Sequence, residues 1–78
     1  MTYIVITRSG SEYHITPSLK VWTCKKSDAS GLRTAAGTYD EWSGANIGHM
    51  MWFRGQGLEY GTRLITTTPV MSVERVGS

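Results

Sequence analysis

Hydrophobic and polar positions alternate through the first sixteen residues, and the alternation predicts a β-hairpin. Residues 2–7 are all β-branched or aromatic, which favours a pleated strand with both faces partly covered. Residues 8–11 form a turn around Gly10, whose missing side chain allows a positive φ. In residues 12–16 the apolar Tyr13 and Ile15 are two apart, so we expect both side chains to point inward.

The alternation resumes after Pro17, which cannot donate a ladder hydrogen bond and therefore ends the second strand. Residues 19–25 predict a third strand with two faces. One face carries Leu19, Val21 and Thr23, and the other carries Lys20, Trp22 and Cys24. The apolar first set predicts that Trp22 lies on the outer face. Residues 25–31 are polar and small, which predicts a mobile loop.

The middle of the chain has weaker patterns. Residues 32–34 and 38–42 are candidate strands, and 43–48 are a candidate loop. A turn of helix over 35–42 is an alternative, although Gly37 and the neighbouring β-branched and aromatic residues disfavour it. Residues 49–54 are strongly apolar and predict a buried strand.

Residues 55–61 are rich in glycine and predict a tight reversal before the last third of the chain. Residues 62–76 are mostly β-branched or aliphatic, apart from one proline. This pattern predicts two short strands joined by a bend at Thr68 and Pro69. Such a ribbon is unstable alone in water and needs the rest of a sheet.

Six to seven short strands with little or no helix therefore predict an all-β fold. A chain of 78 residues leaves room for one domain, so we expect a single β domain over 1–78. So many short strands in so small a chain are best protected by closure. The expected architecture is a small, strongly bent barrel or a tight two-sheet sandwich, similar in size to SH3-like barrels.

Composition narrows the function classes. Charged residues make up 18% of the chain and the net charge is +2, so the chain has too little charge to be disordered. The positive charge is also lower than that of a dedicated nucleic-acid binder. Cys24 is the single cysteine, so an internal disulfide is excluded and a metal site is short of ligands. The sequence has neither a long apolar run nor the pattern of a signal peptide, and we expect a cytoplasmic protein.

No pattern for catalysis, metal binding or cofactor binding rises above background, and we expect a protein that is not an enzyme. The glycines of residues 55–61 are spaced G-x-G-x-x-x-G, which is not the dinucleotide fingerprint, and a strand pattern follows them. A nucleophilic site would need Cys24 beside His14 or His49, and nothing in the spacing brings them together. Asp40 and Glu41 are adjacent, so a strand would place them on opposite faces.

Aromatic and cationic side chains are the best candidates for binding. Three tryptophans are many for a core of this size. We expect Trp52 and Phe53 to be buried, and Trp22 and Trp42 to be harder to accommodate. The candidate binding residues are Trp22, Trp42, Tyr39, Tyr60, Arg33, Arg54 and Arg63. Trp, Tyr and Arg concentrate binding energy at protein interfaces, and aromatics among cations also hold single-stranded nucleic acid.

Three segments carry a resemblance to a known group of proteins. They are Thr-Arg-Ser-Gly-Ser-Glu-Tyr at 7–13, Gly-Leu-Arg-Thr-Ala-Ala-Gly-Thr-Tyr at 31–39, and Arg-Leu-Ile-Thr-Thr-Thr-Pro-Val-Met-Ser-Val-Glu at 63–74. Together they resemble small orphan proteins encoded by tailed bacteriophages of actinobacteria. The resemblance implies a phage accessory protein that acts in the host cytoplasm, and it supplies no catalytic residues to transfer.

Two main hypotheses about function follow, and a third, a hydrolase or transferase, is kept only for completeness. The first is a non-enzymatic interaction module that binds a host or phage protein, or itself, through exposed aromatics and an edge strand. The second is a binder of nucleic acid or a nucleotide, for example a protein that sequesters a host defence signal. The sequence leaves both a homodimer and a monomer open.

Overall fold

The computed structural model describes residues 1–28, 31–57 and 61–77. Every regular element in those residues is a β-strand, and they contain no helix that could cross a membrane. The strands are β1 Thr2–Thr7, β2 Glu12–Thr16, β3 Val21–Asp28, β4 Gly31–Thr38, β5 Glu41–Trp42, β6 Met50–Gly57 and β7 Gly61–Val76. They form one sheet in the order β4-β3-β2-β1-β7-β6-β5, in which all strand pairs are antiparallel.

Tight turns join the first three strands. Gly10 has a φ of 87° and its amide donates to the Thr7 carbonyl at 2.9 Å, which closes the β1–β2 turn. The predicted N-terminal hairpin is therefore confirmed. In the β2–β3 turn the Lys20 amide donates to the Pro17 carbonyl at 3.2 Å, and Lys20 itself has a φ of 51°. Leu19 belongs to this turn and not to a strand.

The β3–β4 hairpin is longer than the sequence predicts. Its ladder runs from Val21 opposite Thr38 to Asp28 opposite Gly31. The prediction of a loop over residues 25–31 is therefore wrong for the described part, since residues 25–28 continue β3. Ladder hydrogen bonds stabilise this polar stretch, because strand pairing uses the backbone and does not require apolar side chains.

β7 is one strand of 16 residues, which corrects the prediction of two strands separated by a bend. Its first part pairs with β6 as far as Pro69, which lies opposite Met50, and its last part pairs with β1 from Val70 onward. The ladder with β6 is irregular between Met50 and Trp52, and the ladder with β1 is irregular between Ile6 and Thr7. Pro69 is thus the point where the strand changes partner, and bulges supply the curvature there.

The chain crosses from one end of the sheet to the other at Tyr39 and Asp40. The Tyr39 amide donates to the Lys20 carbonyl at 3.0 Å, and the Asp40 amide donates to the Arg54 carbonyl at 2.8 Å. These two bonds tie the β4 side of the sheet to the β6 side, and the sheet curls strongly into a half-barrel. The predicted all-β, strongly bent small barrel is confirmed.

Phe53 is the centre of the core inside this curl. Its ring is 1% exposed and stacks between two indoles, with Trp22 at 5.6 Å and 19° and Trp42 at 6.2 Å and 12°. Tyr39 packs against the same ring at 5.4 Å. The rest of the buried core is aliphatic or Met, namely Val5, Ile15, Met51 and Val70.

The prediction that Trp22 lies on the outer face is wrong. Trp22 is 7% exposed and lies directly opposite Ile15, which is fully buried, so both side chains point into the core. The alternation within the strand is correct, but the inward face was misassigned, since Leu19 lies in the turn and Val21 faces outward at the strand's start.

Candidate functional site

β6 divides its side chains between the core and an open outer face. Met51 and Phe53 are buried, so the intervening Trp52 points to the opposite face of the strand. By the same alternation Met50 and Arg54 share that outer face, and Met50 is 62% exposed. The predicted strand over residues 49–54 is confirmed from Met50 onward, but it is not buried throughout, because only Met51 and Phe53 are buried. Trp52, expected in the core, lies half-buried on the outer face, whereas Phe53 is in the core as expected.

An open groove of about 260 Å³ lies on this face, between β6 and β7. We call it the outer groove and define it by Trp52, Arg54, Leu64 and Thr66. Thr66 lies opposite Trp52 and Leu64 lies opposite Arg54. The groove is therefore lined by two cross-strand residue pairs on the same face of the sheet. Leu64 is 63% exposed, so the groove presents apolar surface to solvent.

Hydrogen bonds to the segment after β5 hold the backbone of the outer groove. The Trp52 amide donates to the Ser43 hydroxyl Oγ at 3.0 Å, and the Ser43 amide donates to the Trp52 carbonyl at 3.0 Å. Trp52 is therefore fixed between two paired strands. A binding site on such a ribbon loses little conformational entropy when a ligand binds.

The charge of the outer groove is balanced. Arg54 lies opposite Glu41 of β5, and its guanidinium contacts the Glu41 carboxylate Oε1 in an exposed ion pair. Exposed pairs of this kind add little to stability, but they orient the planar guanidinium and cancel its charge. The groove is thus apolar along Trp52 and Leu64, with a neutralised polar end.

Four of the seven predicted binding residues have described side chains, and these four do not form one site. Trp22 and Tyr39 are buried, and Trp42 is half-buried against Phe53 and Tyr3. Of these four described side chains, only that of Arg54 lines the outer groove. Of the others, Arg33 lies in β4 and Arg63 in β7, with side chains outside the described part, and Tyr60 lies outside the described residues.

Cys24 and His14, two of the residues considered for catalysis, are also separated. Cys24 lies opposite Tyr13 on the core side of the sheet, whereas His14 faces outward and its Nε2 contacts the Glu12 carboxylate at 2.8 Å. The Cys24 and His14 side chains therefore point to opposite faces. Within the described ranges no three His, Cys, Asp or Glu side chains lie close enough to hold a metal ion.

Burial shifts the acid-base behaviour of two tyrosines. Burial, followed by the electrostatic interaction with Cys24 and a hydrogen bond to its side chain, raises the pKa of Tyr13 to about 12. Burial also raises the pKa of Tyr39. Both shifts favour the neutral phenol, as expected for tyrosines that pack against an aromatic core.

Sequence reasoning missed Trp52, Leu64 and Thr66 as members of the site. The missed signal is the alternation within residues 50–54, where Arg54 shares its face with Trp52 and the charge predicts exposure. Leu64 could be added only after the β6–β7 register was known.

Comparison with known proteins identifies no relative of this chain. No protein-family model, curated protein or solved structure matches the chain. Function therefore has to be argued from the site.

Proposed function

We propose that this protein is a non-enzymatic interaction module that binds another protein through the outer groove. The observation that carries the proposal is the outward position of Trp52 beside the exposed Leu64, on a ribbon whose opposite face is the core. Tryptophan is enriched among residues that dominate protein interfaces, and contiguous exposed apolar side chains mark interaction sites. Met50 extends the apolar surface along the same strand.

The ion pair at the end of the outer groove favours a protein partner over nucleic acid. Nucleic-acid binding draws on cations that are free to neutralise phosphates, and Glu41 already pairs with Arg54. An aromatic and aliphatic surface with a balanced charge suits the centre of a protein interface, with the pair at its rim. A partner with an apolar anchor side chain fits this arrangement.

The proposal extends to the setting in which the module works. The resemblance to small phage proteins supports a partner of host or phage origin in the host cytoplasm. A module of this kind needs no catalytic residue, because its effect comes from occupying a surface of the partner.

Affinity capture with matched variants tests the proposal. Tagged protein is incubated with host lysate, with and without nuclease, and compared with Trp52→Ala, Leu64→Ala and the control Leu19→Ala. Leu19 is 70% exposed in the β2–β3 turn, away from the outer groove, so its truncation removes similar apolar surface elsewhere. We expect one protein to be captured regardless of nuclease by wild type and Leu19→Ala, and to be lost with the two groove variants.

Titration with the purified partner completes the test. Loss of an interface anchor weakens binding by about 2 kcal/mol or more, which is roughly thirtyfold in Kd. Equal affinities for folded Trp52→Ala and wild type would refute the role of the outer groove.

Binding of a nucleotide or single-stranded nucleic acid is the second candidate, because Trp52 and Arg54 line one groove. Stacking on an aromatic next to a cation is the usual arrangement in such proteins. The variant Glu41→Gln would release Arg54 from its partner and strengthen that binding, whereas Arg54→Ala would abolish it. Oligonucleotide binding that falls steeply with salt and follows this order would favour the second candidate over the first.

A further inference from the structure

β4 is an edge strand of the described sheet, and most of its described residues are exposed. Its only paired neighbour is β3, and the far side of its backbone has no ladder partner in the described sheet. Ala35 lies opposite Cys24 on the core side, and Ala36 lies opposite Thr23 on the outer side, yet both alanines are exposed. Around Ala35 and Ala36 the β4 strand is therefore exposed on both faces, and its far backbone edge is unpaired within the described sheet.

An added strand would stabilise the β3–β4 ribbon by pairing with its open backbone edge. Two strands alone are only marginally stable in water, and an open edge invites pairing with another chain. Proteins usually block such edges with proline, inward-pointing charges, bulges or very short strands. β4 has eight residues without a proline, and its ladder with β3 is regular from end to end. Its one charged residue is Arg33, opposite Lys26, so the edge carries a single blocking charge over eight residues.

We propose that the β4 edge pairs with the β4 edge of a second copy of this chain, which makes the protein a weak, reversible homodimer. The other end of the described sheet is β5, which has two residues and is too short to accept β4. The long free edge in the described sheet is thus complementary to itself. A contact that uses the same patch on both copies closes at two and does not propagate into a fibre.

The side chains of β4 suit this pairing. Antiparallel pairing about a two-fold axis perpendicular to the sheet keeps the faces of the two copies in register, with Thr34, Ala35 and Ala36 near the axis. These side chains are small and let the strands approach closely, and Leu32, 65% exposed, gains a neighbour near the far end of the partner strand. Small side chains give little means of selecting a foreign peptide, which is why a second copy is favoured.

The size and charge of this contact define its strength. One added strand per copy places the interface in the small class, below about 1,200 Å² in total, which is typical of transient association. Arg33 lies on β4 itself, and Lys25 and Lys26 lie on β3, one strand further from the axis, so like charges approach each other in the dimer. Salt screens this repulsion, and we expect dimerisation to strengthen as salt rises. The contact is separate from the outer groove and does not depend on its function.

Sedimentation velocity over a wide concentration range tests the pairing. Wild type is compared with Ala35→Lys, which places like charges beside the axis, and with Thr23→Lys, the same exposed charge one strand inward. We expect the weight-average sedimentation coefficient to rise with concentration for wild type and Thr23→Lys, and to stay monomeric for folded Ala35→Lys. A wild type that is monomeric throughout, or an Ala35→Lys protein that dimerises equally, would overturn the proposal.

Directed cross-linking locates the contact independently. In a Cys24→Ser background, single cysteines are placed at Thr34, Ala35 and Ala36, and at Thr23 as the control. Residues directly opposite in antiparallel strands have Cα atoms about 4.5 to 5.5 Å apart, within reach of a disulfide. We expect at least one β4 cysteine to form a disulfide-linked dimer under mild oxidation far faster than Thr23→Cys. Equal rates at all four positions would show that the copies do not meet at this edge.

Discussion

Gly37 lies directly beneath the indole of Trp22, its cross-strand partner, so closely that a Cβ on Gly37 would come within 2.9 Å of Trp22 Cζ2. That indole is buried and stacked on Phe53, so it has no open space to move into. We expect Gly37→Ala to lower the free energy of unfolding by about 1–3 kcal/mol, the usual effect of overpacking. Chemical denaturation followed by fluorescence measures the change.

A double-mutant cycle shows whether Trp22 causes this effect. In a Trp22→Phe background the smaller ring leaves room for the new methyl group, so Gly37→Ala should destabilise much less there. An identical loss in both backgrounds would mean that the methyl group disturbs the backbone and not the indole.

Trp52 and Phe53 are neighbours on one strand but face solvent and core respectively, so their truncation should have unequal effects. We expect Phe53→Ala to destabilise by about 3–5 kcal/mol, which is enough to unfold much of a chain this small. Trp52→Ala should change the free energy of unfolding by only about 1 kcal/mol, because the side chain is half-exposed. Thermal and denaturant unfolding of both variants tests the contrast, and a Trp52→Ala protein that unfolds as readily as Phe53→Ala would place Trp52 in the core.

The raised pKa of Tyr13 predicts a loss of stability in alkali. An unfolded tyrosine loses its proton near pH 10, whereas the folded Tyr13 keeps it until about 12. The contribution of Tyr13 is therefore fully present below pH 10 and is lost progressively as the pH rises through that window. We expect the free energy of unfolding of wild type to fall more steeply between pH 10 and 12 than that of Tyr13→Phe.

A second variant separates the causes of the Tyr13 shift. Burial is the largest cause and the Cys24 thiol adds to it, so Cys24→Ala should lower the pKa of Tyr13 without returning it to its ordinary value. Tyrosinate absorbance during titration measures this pKa. A shift that disappears entirely in Cys24→Ala would show that the thiol, and not burial, is its main origin.

Strand identity was predictable from the sequence because it depends on local patterns, which are the alternation in the first hairpin and the apolar run in residues 49–54. The face that turns inward was harder to predict. For Trp22 it depends on the pairing with Ile15, which no local pattern reveals. The outward position of Trp52 was not predicted for the same reason, since a run of apolar residues does not show which members face the core.

β7 shows a second physical limit of sequence reasoning. Its core-facing residues are Ile65, Thr67, Val70 and Val73, with spacings of two, three and three. Each spacing of three accompanies an irregular stretch of ladder with β6 or β1, so the alternation of two fails where the strand bends. Pro69 suggested a break between strands, whereas the chain continues through it with a new partner.

Thr67 stabilises the bend of β7, and its hydroxyl offers a sharp test of that role. The Met51 amide donates to Thr67 Oγ1 at 3.2 Å, and Oγ1 in turn donates to the Thr68 carbonyl at 2.8 Å, while Thr67 is only 7% exposed. Thr67→Val keeps the shape but leaves the Met51 amide unpaired, and we expect it to destabilise by about 1–3 kcal/mol.

The neighbouring Thr66 gives a matched control for this prediction, because it is exposed on the same strand and Thr66→Val makes the identical chemical change. Its effect should stay within about 0.5 kcal/mol, as is usual for surface substitutions. Hydrogen exchange adds a local measurement, since the Met51 amide should exchange faster in Thr67→Val than in wild type or Thr66→Val. Equal protection of that amide in all three proteins would mean that the bend is held by the backbone ladder alone.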